Sequence, residues 1–266
     1  MPKVSVIMGI YNTNNREMVK EAIDSILNQT FKDFEFIICD DGSTDNTYEV
    51  VKELIQDDDR CVLIRNEFNQ GLAQTLNNCL AISKGEYIAR MDADDISIET
   101  RLEDEVNFLD NHSDYVLVGG NCKLFDNQGV YGIKKLVEKP QRTDLLFGPP
   151  FIHPSIMIRK KTLNNLHGYR ACKETLRAED YDLWMRLYAS GEKGYNLQKA
   201  IYLFREDKNA FKRRKYKFRI DEAKVRYKGF KSLDLLPIGY IYILKPLLVG
   251  LIPQRVLTKF RKIERV

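Results

Sequence analysis

The first hundred residues alternate between short apolar runs and amphipathic segments, and this order restricts the fold more than any other feature. The runs at 4–10 (VSVIMGI) and 34–40 (FEFIICD) are apolar at nearly every position, which is typical of strands covered on both faces. Between and after them, the patterns predict helices over 16–30, 47–55 and 71–83 and strands over 61–66 and 86–92. This order predicts an α/β fold with a mostly parallel sheet flanked by helices.

The remaining composition is that of a globular protein. A length of 266 residues with 44% hydrophobic residues allows one large core, or one core with an appendage. Further patterns predict a helix over 99–112 and a strand over 114–126. The five cysteines are widely spaced and form no CxxC pair, which argues against a disulfide framework and a zinc site. The apolar N-terminus lacks a small-residue cleavage site, so we expect a cytoplasmic protein.

The net charge of +4 is unevenly distributed. Residues 205–266 contain 18 Lys and Arg against 6 Asp and Glu, a net charge of +12, which leaves −8 for residues 1–204. An acidic body is suited to hold a cation, whereas a basic tail is suited to phosphates or an anionic membrane. The charge division therefore indicates two separate tasks.

Polar motifs follow three of the predicted strands. Tyr11 and Asn12 follow the first strand, Asp40 and Asp41 end the second, and the segment 92–95 (DADD) ends the fourth. If the strands are parallel, these groups lie along one edge of the sheet, where such folds bind their ligands.

The DADD segment has the composition of a cation site. Asp92 and Asp94 are two residues apart, so their side chains point the same way and can chelate a hard divalent ion that also binds a diphosphate. An EF-hand loop is excluded because Ser97 stands where glycine is needed, and Ile96 disagrees with the phosphatase pattern DxDx[TV]. A solvated acidic turn remains the alternative.

Three further motifs carry candidate residues. The Asp40-Asp41-Gly42 turn can accept hydrogen bonds from a base or ribose, or be an ordinary helix cap. Glu179 and Asp180 precede an amphipathic helix, where the helix dipole is a sufficient structural explanation for one of them, and a general base is the functional alternative. His153 lies in a shaped Gly-Pro-Pro loop and is either structural or a binding group. The chain lacks the GxGxxG and GxxxxGK[ST] motifs of dinucleotide and P-loop sites.

Taken in order, the segments PKVSVIMGIYN, DDGSTDNT, KGEYIARMDADD, HPSIMIR and AEDYDLWMRL resemble the family 2 glycosyltransferases with the GT-A fold, especially bacterial enzymes of capsule, O-antigen and exopolysaccharide assembly. The resemblance covers residues 2–207. It implies a Rossmann-like GT-A catalytic domain over 1–207, an inverting hexosyltransferase reaction, a UDP-sugar donor and Mn²⁺ or Mg²⁺.

The resemblance also implies roles for individual residues. Asp180 matches the catalytic base with Glu179 alongside, and Asp94 matches the metal ligand of the DxD motif, with Asp92 on the ribose or metal side. The other matching residues are expected to contact the donor or support its site: Gly9, Tyr11 (against uracil), Asp40, Asp41, Asp95 and His153. Arg205, just before the basic tail, is expected to close over the donor diphosphate. The sequence departs from commoner family members at Gly9, and no Arg precedes Asn77, which leaves the donor sugar open.

The segment 208–266 is predicted to be a basic, amphipathic helical extension. Its apolar stretch 233–253 is interrupted by Pro237, Lys245 and Pro246, which favours an interfacial segment over a membrane-spanning helix. Packing on the body or in a homodimer is the alternative. No nucleic-acid-binding signature accompanies the basic residues.

We therefore expect a peripheral enzyme on the inner face of the cell membrane. It would move a hexose or N-acetylhexosamine to a glycan or undecaprenyl-diphosphate-linked acceptor. The alternative function is a catalytically silent nucleotide-sugar-binding or scaffold protein of the same fold.

Overall fold

The computed structural model describes residues 1–206, 216–249 and 264–265. The strands are β1 Val4–Ile10, β2 Phe34–Asp40, β3 Cys61–Arg65, β4 Tyr87–Asp92, β5 Ile96–Ser97, β6 Leu117–Asp126, β7 Gly129–Lys134, β8 Met157–Arg159, β9 Gly194–Arg205 and β10 Glu264–Arg265. The helices are α1 Arg16–Leu27, α2 Thr47–Ile55, α3 Leu72–Ile82, α4 Arg101–Asn111, α5 Lys160–Asn165, α6 Glu179–Ala189, α7 Tyr216–Ser232 and α8 Gly239–Val249.

The strands form one mixed sheet in the order β10-β7-β6-β8-β4-β1-β2-β3. The pairs β1–β2, β1–β4 and β2–β3 are parallel, as the alternating pattern predicts. β8 is antiparallel to both β4 and β6, and β9 pairs with β6 in parallel and with β5 in antiparallel orientation. The α/β prediction is confirmed, and helices cover both faces of the sheet.

Each face of the sheet has its own apolar cluster. One cluster contains side chains of α1, α2 and α4, and the other contains side chains of α3, α6 and α7. β1 and β2 contribute to both, because alternate residues of a strand point to opposite faces. The continuous apolar runs therefore reflect burial on two sides.

The predicted element boundaries need small corrections. The helix predicted over 16–30 ends at Leu27, where the backbone N–H of Asn28 bonds the carbonyl of Asp24. The strand predicted over 114–126 begins at Leu117, because a turn joins the N–H of Tyr115 to the carbonyl of His112 and regular pairing starts only afterwards.

The described part of the predicted 208–266 extension packs on the rest of the protein through α7. Val225 and Phe230 are buried in the cluster that contains α6. A Cβ at Gly229 would lie 2.0 Å from the Sδ of Met185, so any side chain there would have to displace the Met185 side chain where α7 meets α6. Residues 208–215, 250–263 and 266 of the predicted extension lie outside the described residues.

α8 is apolar on its inner and its outer face. Tyr242, Ile243 and Pro246 face the protein, whereas Ile241, Leu244 and Leu248 are exposed by 54–73%. Among the described helices, none combines the length and the apolar content that a membrane crossing requires.

Candidate active site

A cavity of about 720 Å³ opens where the polar motifs were predicted to meet. Its walls come from the end of β1, the turn after β2, the start of α3, the loop 171–177 and the start of α6. Four predicted site residues line it: Gly9, Tyr11, Asp41 and Glu179. Phe218 of α7 completes the wall, so the C-terminal region contributes to the cavity.

Gly9 and Tyr11 shape the β1 side of the cavity. A Cβ on Gly9 would lie 3.0 Å from the Cγ2 of Thr75 and 3.2 Å from the Cδ1 of Leu72, so glycine lets α3 pack close to the strand. Tyr11 is 45% exposed although it is a large aromatic residue. An exposed ring on a cavity wall is suited to stack on a planar base.

Asp41 connects the end of β2 to the start of α3. Its Oδ1 accepts hydrogen bonds of 2.8 Å from both the Asn66 side chain and the Gln70 backbone N–H, and its Oδ2 accepts one of 2.9 Å from the backbone N–H of Gly71. A carboxylate is favourable there because the helix N-terminus presents unpaired N–H groups. Asp41 thus fixes the loop that walls the cavity while itself lining it.

Asp40, unlike Asp41, is buried away from the cavity. It is fully buried, its Oδ2 lies 3.0 Å from the Nε of Arg65, and it accepts from the backbone N–H of Ser43. It does not line the cavity. The ion pair with Arg65 holds the carboxylate inside the protein, and the predicted contact of Asp40 with a substrate stays a prediction.

Asp92, Asp94 and Asp95 form what we term the strand-end cluster. One carboxylate oxygen from each lies within 4.8 Å of the others, and strand register places Asp92 beside Gly9 of the cavity wall. Asp95 is 1% exposed, and its Oδ2 is buried without a hydrogen-bond partner. A buried, unpaired carboxylate oxygen among other carboxylates is costly unless a cation binds there.

The crowding of the cluster raises the pKa values of two of its carboxyls, Asp94 and Asp95. The Asp94 side chain is exposed, but the surrounding protein excludes part of the solvent from its carboxyl; this and the charge of Asp92 raise its pKa to about 6. Burial and the neighbouring carboxylates raise the pKa of Asp95 well above its usual range. Carboxylate oxygens within 4.8 Å of one another suit hard cations such as Mn²⁺ or Mg²⁺. The type of ligand and the unpaired Asp95 oxygen therefore both fit the predicted metal.

Arg205, at the end of β9, holds the turn that carries the cluster. Its backbone N–H donates to the Oδ1 of Asp95 at 2.7 Å, and its Nε donates to the backbone carbonyl of Asp94 at 2.8 Å. Its Nη2 also bonds Glu21 at 2.8 Å. β5 pairs with β9 and so brings Arg205 to this turn. Its predicted contact with the donor diphosphate stays a prediction.

Glu179 and Asp180, which we term the helix-start pair, occupy the first turn of α6. Both are half-buried, and Glu179 lines the cavity. The Oδ1 of Asp180 accepts from the backbone N–H of Tyr181 at 2.7 Å. Within the described part of the chain, no side chain donates a hydrogen bond to either carboxylate, whereas Asp182 forms ion pairs with Arg170 and Arg186.

The helix-start pair has raised affinity for protons. Burial, and then the charge of Asp180, raise the pKa of Glu179 to about 7. Burial also raises the pKa of Asp180, an effect that the Tyr181 N–H and the positive charge of Arg90 oppose. Carboxylates with pKa values moved towards neutrality can accept and release protons near neutral pH.

His153 lies behind the cavity wall rather than in it. It is 9% exposed, and its Nε2 is 2.9 Å from the Tyr169 hydroxyl. Burial, and then the charge of Arg90, lower its pKa well below its usual range, so the ring is neutral. The backbone of Tyr169 in turn bonds the side-chain amide of Asn77: the Asn77 Nδ2 donates to the Tyr169 carbonyl, and the Tyr169 N–H donates to the Asn77 Oδ1. His153 thus supports the loop before α6, and its predicted place in the donor site stays a prediction.

Three residues near the site were not predicted from the sequence. Arg90 is 2% exposed and its Nη1 lies 2.5 Å from the Oδ2 of Asp92. Phe218 reaches the cavity from a distant helix, and Cys172 lines the cavity and is exposed. An arginine inside an otherwise apolar strand was the one available signal, since such a residue is rarely buried without a reason.

The fold and site define a glycosyltransferase of the GT-A type. The family model for glycosyl transferase family 2 matches residues 5–176. The chain is 45% identical over 262 residues to EpsE of Bacillus subtilis, a protein named as a glycosyltransferase, with 98% of this chain and 94% of the relative covered. This chain therefore belongs to glycosyl transferase family 2.

Another relative and two solved structures extend the comparison. A UDP-Gal:α-D-GlcNAc-diphosphoundecaprenol β-1,3-galactosyltransferase of Escherichia coli is 31% identical over 240 residues, covering 87% of this chain and 84% of the relative. TarS of S. aureus with UDP-GlcNAc superposes with a TM-score of 0.73 at 18% identity, covering 97% of this chain and 78% of that one. A mannosyltransferase of Pyrobaculum calidifontis with GDP-Man and Mn²⁺ gives a TM-score of 0.65 at 19% identity, covering 94% and 70%. At these identities, the two structures support the fold alone.

Proposed function

We propose that this chain is an inverting glycosyltransferase that moves a hexose or N-acetylhexosamine from a UDP-sugar to a lipid-linked saccharide during bacterial surface polysaccharide synthesis. One observation carries the proposal: Tyr11 and Asp41 line the same cavity as Glu179, and the strand-end cluster lies beside Gly9 in that cavity's wall. The residues that would bind the nucleotide, hold the cation and accept the proton therefore adjoin one another. The UDP-Gal and diphosphoundecaprenol in the name of the E. coli relative support the donor and acceptor classes.

The donor nucleotide would bind at the β1 side of the cavity. Tyr11 would stack on uracil, and Asp41 would accept the imide N–H with the one acceptor site of Oδ2 that its three protein hydrogen bonds leave over. Asp94 and Asp92 would hold Mn²⁺ or Mg²⁺, with Asp95 in support. When bound, the ion supplies positive charge that stabilises the leaving diphosphate.

The helix-start pair would handle the proton of the acceptor. Asp180 would take the proton from an acceptor hydroxyl as that oxygen forms a bond to the anomeric carbon. The bond from that carbon to the diphosphate oxygen breaks on the opposite face and its electrons leave with UDP, so the configuration inverts. Glu179, next to Asp180 and with a pKa of about 7, would tune the charge of the pair.

The outer face of α8 would place the enzyme on the inner surface of the cell membrane. Ile241, Leu244 and Leu248 form an exposed stripe at helical spacing, and the chain from 205 onward has a net charge of +12. Exposed apolar side chains beside basic residues suit an anionic lipid surface. Such a position would bring the cavity to a lipid-linked acceptor, whereas a homodimer through the same stripe is the competing arrangement.

Vesicle flotation tests the proposed contact of α8 with the membrane. Ile241→Ser/Leu244→Ser should reduce recovery with phosphatidylglycerol vesicles by about tenfold, since each lost apolar contact weakens interfacial binding. Val130→Ser, at another exposed apolar residue on β7, serves as the matched control. Unchanged flotation of the double variant, or loss of a dimer in light scattering instead, would reject membrane contact through this face.

A donor screen tests the function itself. Purified protein would be incubated with UDP-Glc, UDP-Gal, UDP-GlcNAc and UDP-GalNAc, with Mn²⁺ or with a chelator, and UDP release would be measured. We expect Mn²⁺-dependent release from one donor and little from the others. UDP binding without release from any donor, even with lipid extract as acceptor source, would favour the alternative of a catalytically silent nucleotide-sugar-binding protein.

A further inference from the structure

Arg90 is an unusual residue in the interior of this protein. It lies in the middle of β4 and is 2% exposed. It pairs with Ile7 of β1 on one side, and on the other side its backbone N–H donates to the carbonyl of Ile156, just before β8. Its Nη1 lies 2.5 Å from the Oδ2 of Asp92, two residues further along the same face of the strand. Within the described residues neither its Nε nor its Nη1 has a hydrogen-bond partner, so Nη1 meets the Asp92 carboxylate as a close ion pair. The guanidinium is therefore buried with a single close carboxylate.

Such a group is expensive to keep for stability alone. A buried charge loses its hydration, and an ion pair regains that loss only when the remaining donors are also satisfied. Nearby Arg101 shows the structural case: it is fully buried, pairs with Glu105, and donates to the backbone carbonyls of Arg90 and Ile156. Among the described residues Arg90 has no comparable set of carbonyl partners, so its stabilising contribution does not account for its presence.

The positive charge of Arg90 reaches both acidic groups of the site. Its charge acts on Asp94 and Asp95 in the strand-end cluster and on Glu179 and Asp180 in the helix-start pair. The same charge acts on the buried rings of His153, Tyr169 and Tyr202. Arg90 is thus a fixed internal cation common to both acidic groups.

We propose that Arg90 is a positioning residue for the transfer reaction: its buried guanidinium holds Asp92 in the orientation in which the strand-end cluster binds a cation. This inference rests on the proposed function. Asp92 is the cluster member with the ion pair, whereas Asp95 is held by the backbone of Arg205 and Asp94 is exposed. Removing Arg90 would leave Asp92 free to rotate and would leave its charge uncompensated when no cation is bound.

Calorimetric titration of UDP with and without Mn²⁺ tests the proposal through binding rather than turnover. Arg90→Met removes the charge at similar length. We expect the Mn²⁺-dependent gain in UDP affinity to fall by about 10–100-fold, the usual effect of losing a residue that orients a metal ligand. UDP affinity without metal should change by less than about threefold, because Arg90 does not line the cavity.

Arg159→Met is the matched control. Arg159 lies opposite Tyr87 at the other end of β4 and donates to the backbone carbonyls of Leu109 and Tyr115. Its loss should lower the melting temperature and leave the Mn²⁺-dependent gain intact. Arg90→Lys keeps the charge but not the planar fork, so it should restore part of the gain.

If Arg90→Met does not fold, the comparison moves to Asp92→Asn and Arg90→Met/Asp92→Asn, where no carboxylate is left unpaired. Because Arg90 acts through Asp92, the two proteins should show the same Mn²⁺ response. A full Mn²⁺-dependent gain in folded Arg90→Met, or a further loss of more than about tenfold in the double variant, would overturn the inference. Absence of any Mn²⁺ effect in the unaltered protein would instead refute the proposed metal-dependent function.

Discussion

The strand-end cluster and the helix-start pair both consist of carboxylates, but the two sets lie in different surroundings. The cluster crowds three carboxylates within 4.8 Å and buries one oxygen of Asp95 without a partner. The helix-start pair has only two carboxylates, and the backbone N–H of Tyr181 bonds one of them. Crowding favours a bound cation, whereas two half-buried groups at a helix start favour a transferable proton.

In the proposed function, the setting of each carboxylate determines its role more than the residue type does. Arg205 locks the cluster through the backbone of Asp94 and the side chain of Asp95, so its geometry is fixed before any ligand arrives. No described side chain locks Glu179 or Asp180 in this way. A metal site gains from fixed ligands, and a proton acceptor gains from a lone pair that remains available.

The largest expected effect separates the two groups by turnover. Asp180→Asn should lower the rate of sugar transfer by about 10²–10⁴-fold, because the amide cannot accept the acceptor proton. Mn²⁺-dependent binding of UDP should remain, since the strand-end cluster is untouched. Steady-state kinetics with the preferred donor measures the first result and calorimetry the second. A rate within about threefold of the unaltered protein would remove Asp180 from the role of base.

The next effect distinguishes the groups by pH. Asp180, the proposed base, accepts a proton only when ionised, and burial raises its pKa above the usual range of an aspartate. Turnover should therefore fall as pH decreases through this raised pKa, approaching tenfold per pH unit. Glu179→Gln should leave the acid limb in place, because burial and the charge of Asp180 raise the pKa of Glu179 to about 7, so Glu179 is already neutral where Asp180 takes up its proton. An acid limb that moves down by about one pH unit in the variant would show that Glu179, and not Asp180, controls the profile.

A smaller effect reports whether the cavity between these groups holds the nucleotide. Burial alone would raise the pKa of the Cys172 thiol, but hydrogen bonds from Thr175 and the local backbone lower it, and the side chain is exposed in the cavity. Alkylation at this position should slow by about tenfold when UDP is present at ten times its dissociation constant. Cys172→Ser is the control, since the other cysteines are buried or half-buried. Equal alkylation rates with and without saturating UDP would place the nucleotide elsewhere.

The sequence predicted the half of the fold that local patterns determine. The bounds of β1 and β2 agree with the apolar runs, and the register of β1 with β2 and β4 brings the three polar motifs to one edge. This succeeded because continuous burial on both faces and parallel order leave a strong pattern. Tyr11, Asp41 and Glu179 then meet as a consequence of topology.

The remaining features depend on contacts between distant residues. The pairing of β5 with β9 brings Arg205 to the DADD turn, and no local pattern around Arg205 indicates this. Asp40 and Asp41 are adjacent in sequence, yet one bonds Arg65 inside the protein and the other lines the cavity. Phe218 reaches the cavity because α7 packs on α6. Such pairings are set by tertiary packing, which short motifs do not encode.

The central claim is that the strand-end cluster binds the cation and the helix-start pair accepts the proton. Calorimetry of UDP with and without Mn²⁺, compared between Asp94→Ala and Asp180→Asn, tests it most directly. The account predicts that Asp94→Ala loses the Mn²⁺-dependent gain in affinity while Asp180→Asn keeps it. A normal Mn²⁺ response in Asp94→Ala, or its loss in Asp180→Asn, would contradict the assignment of the two tasks.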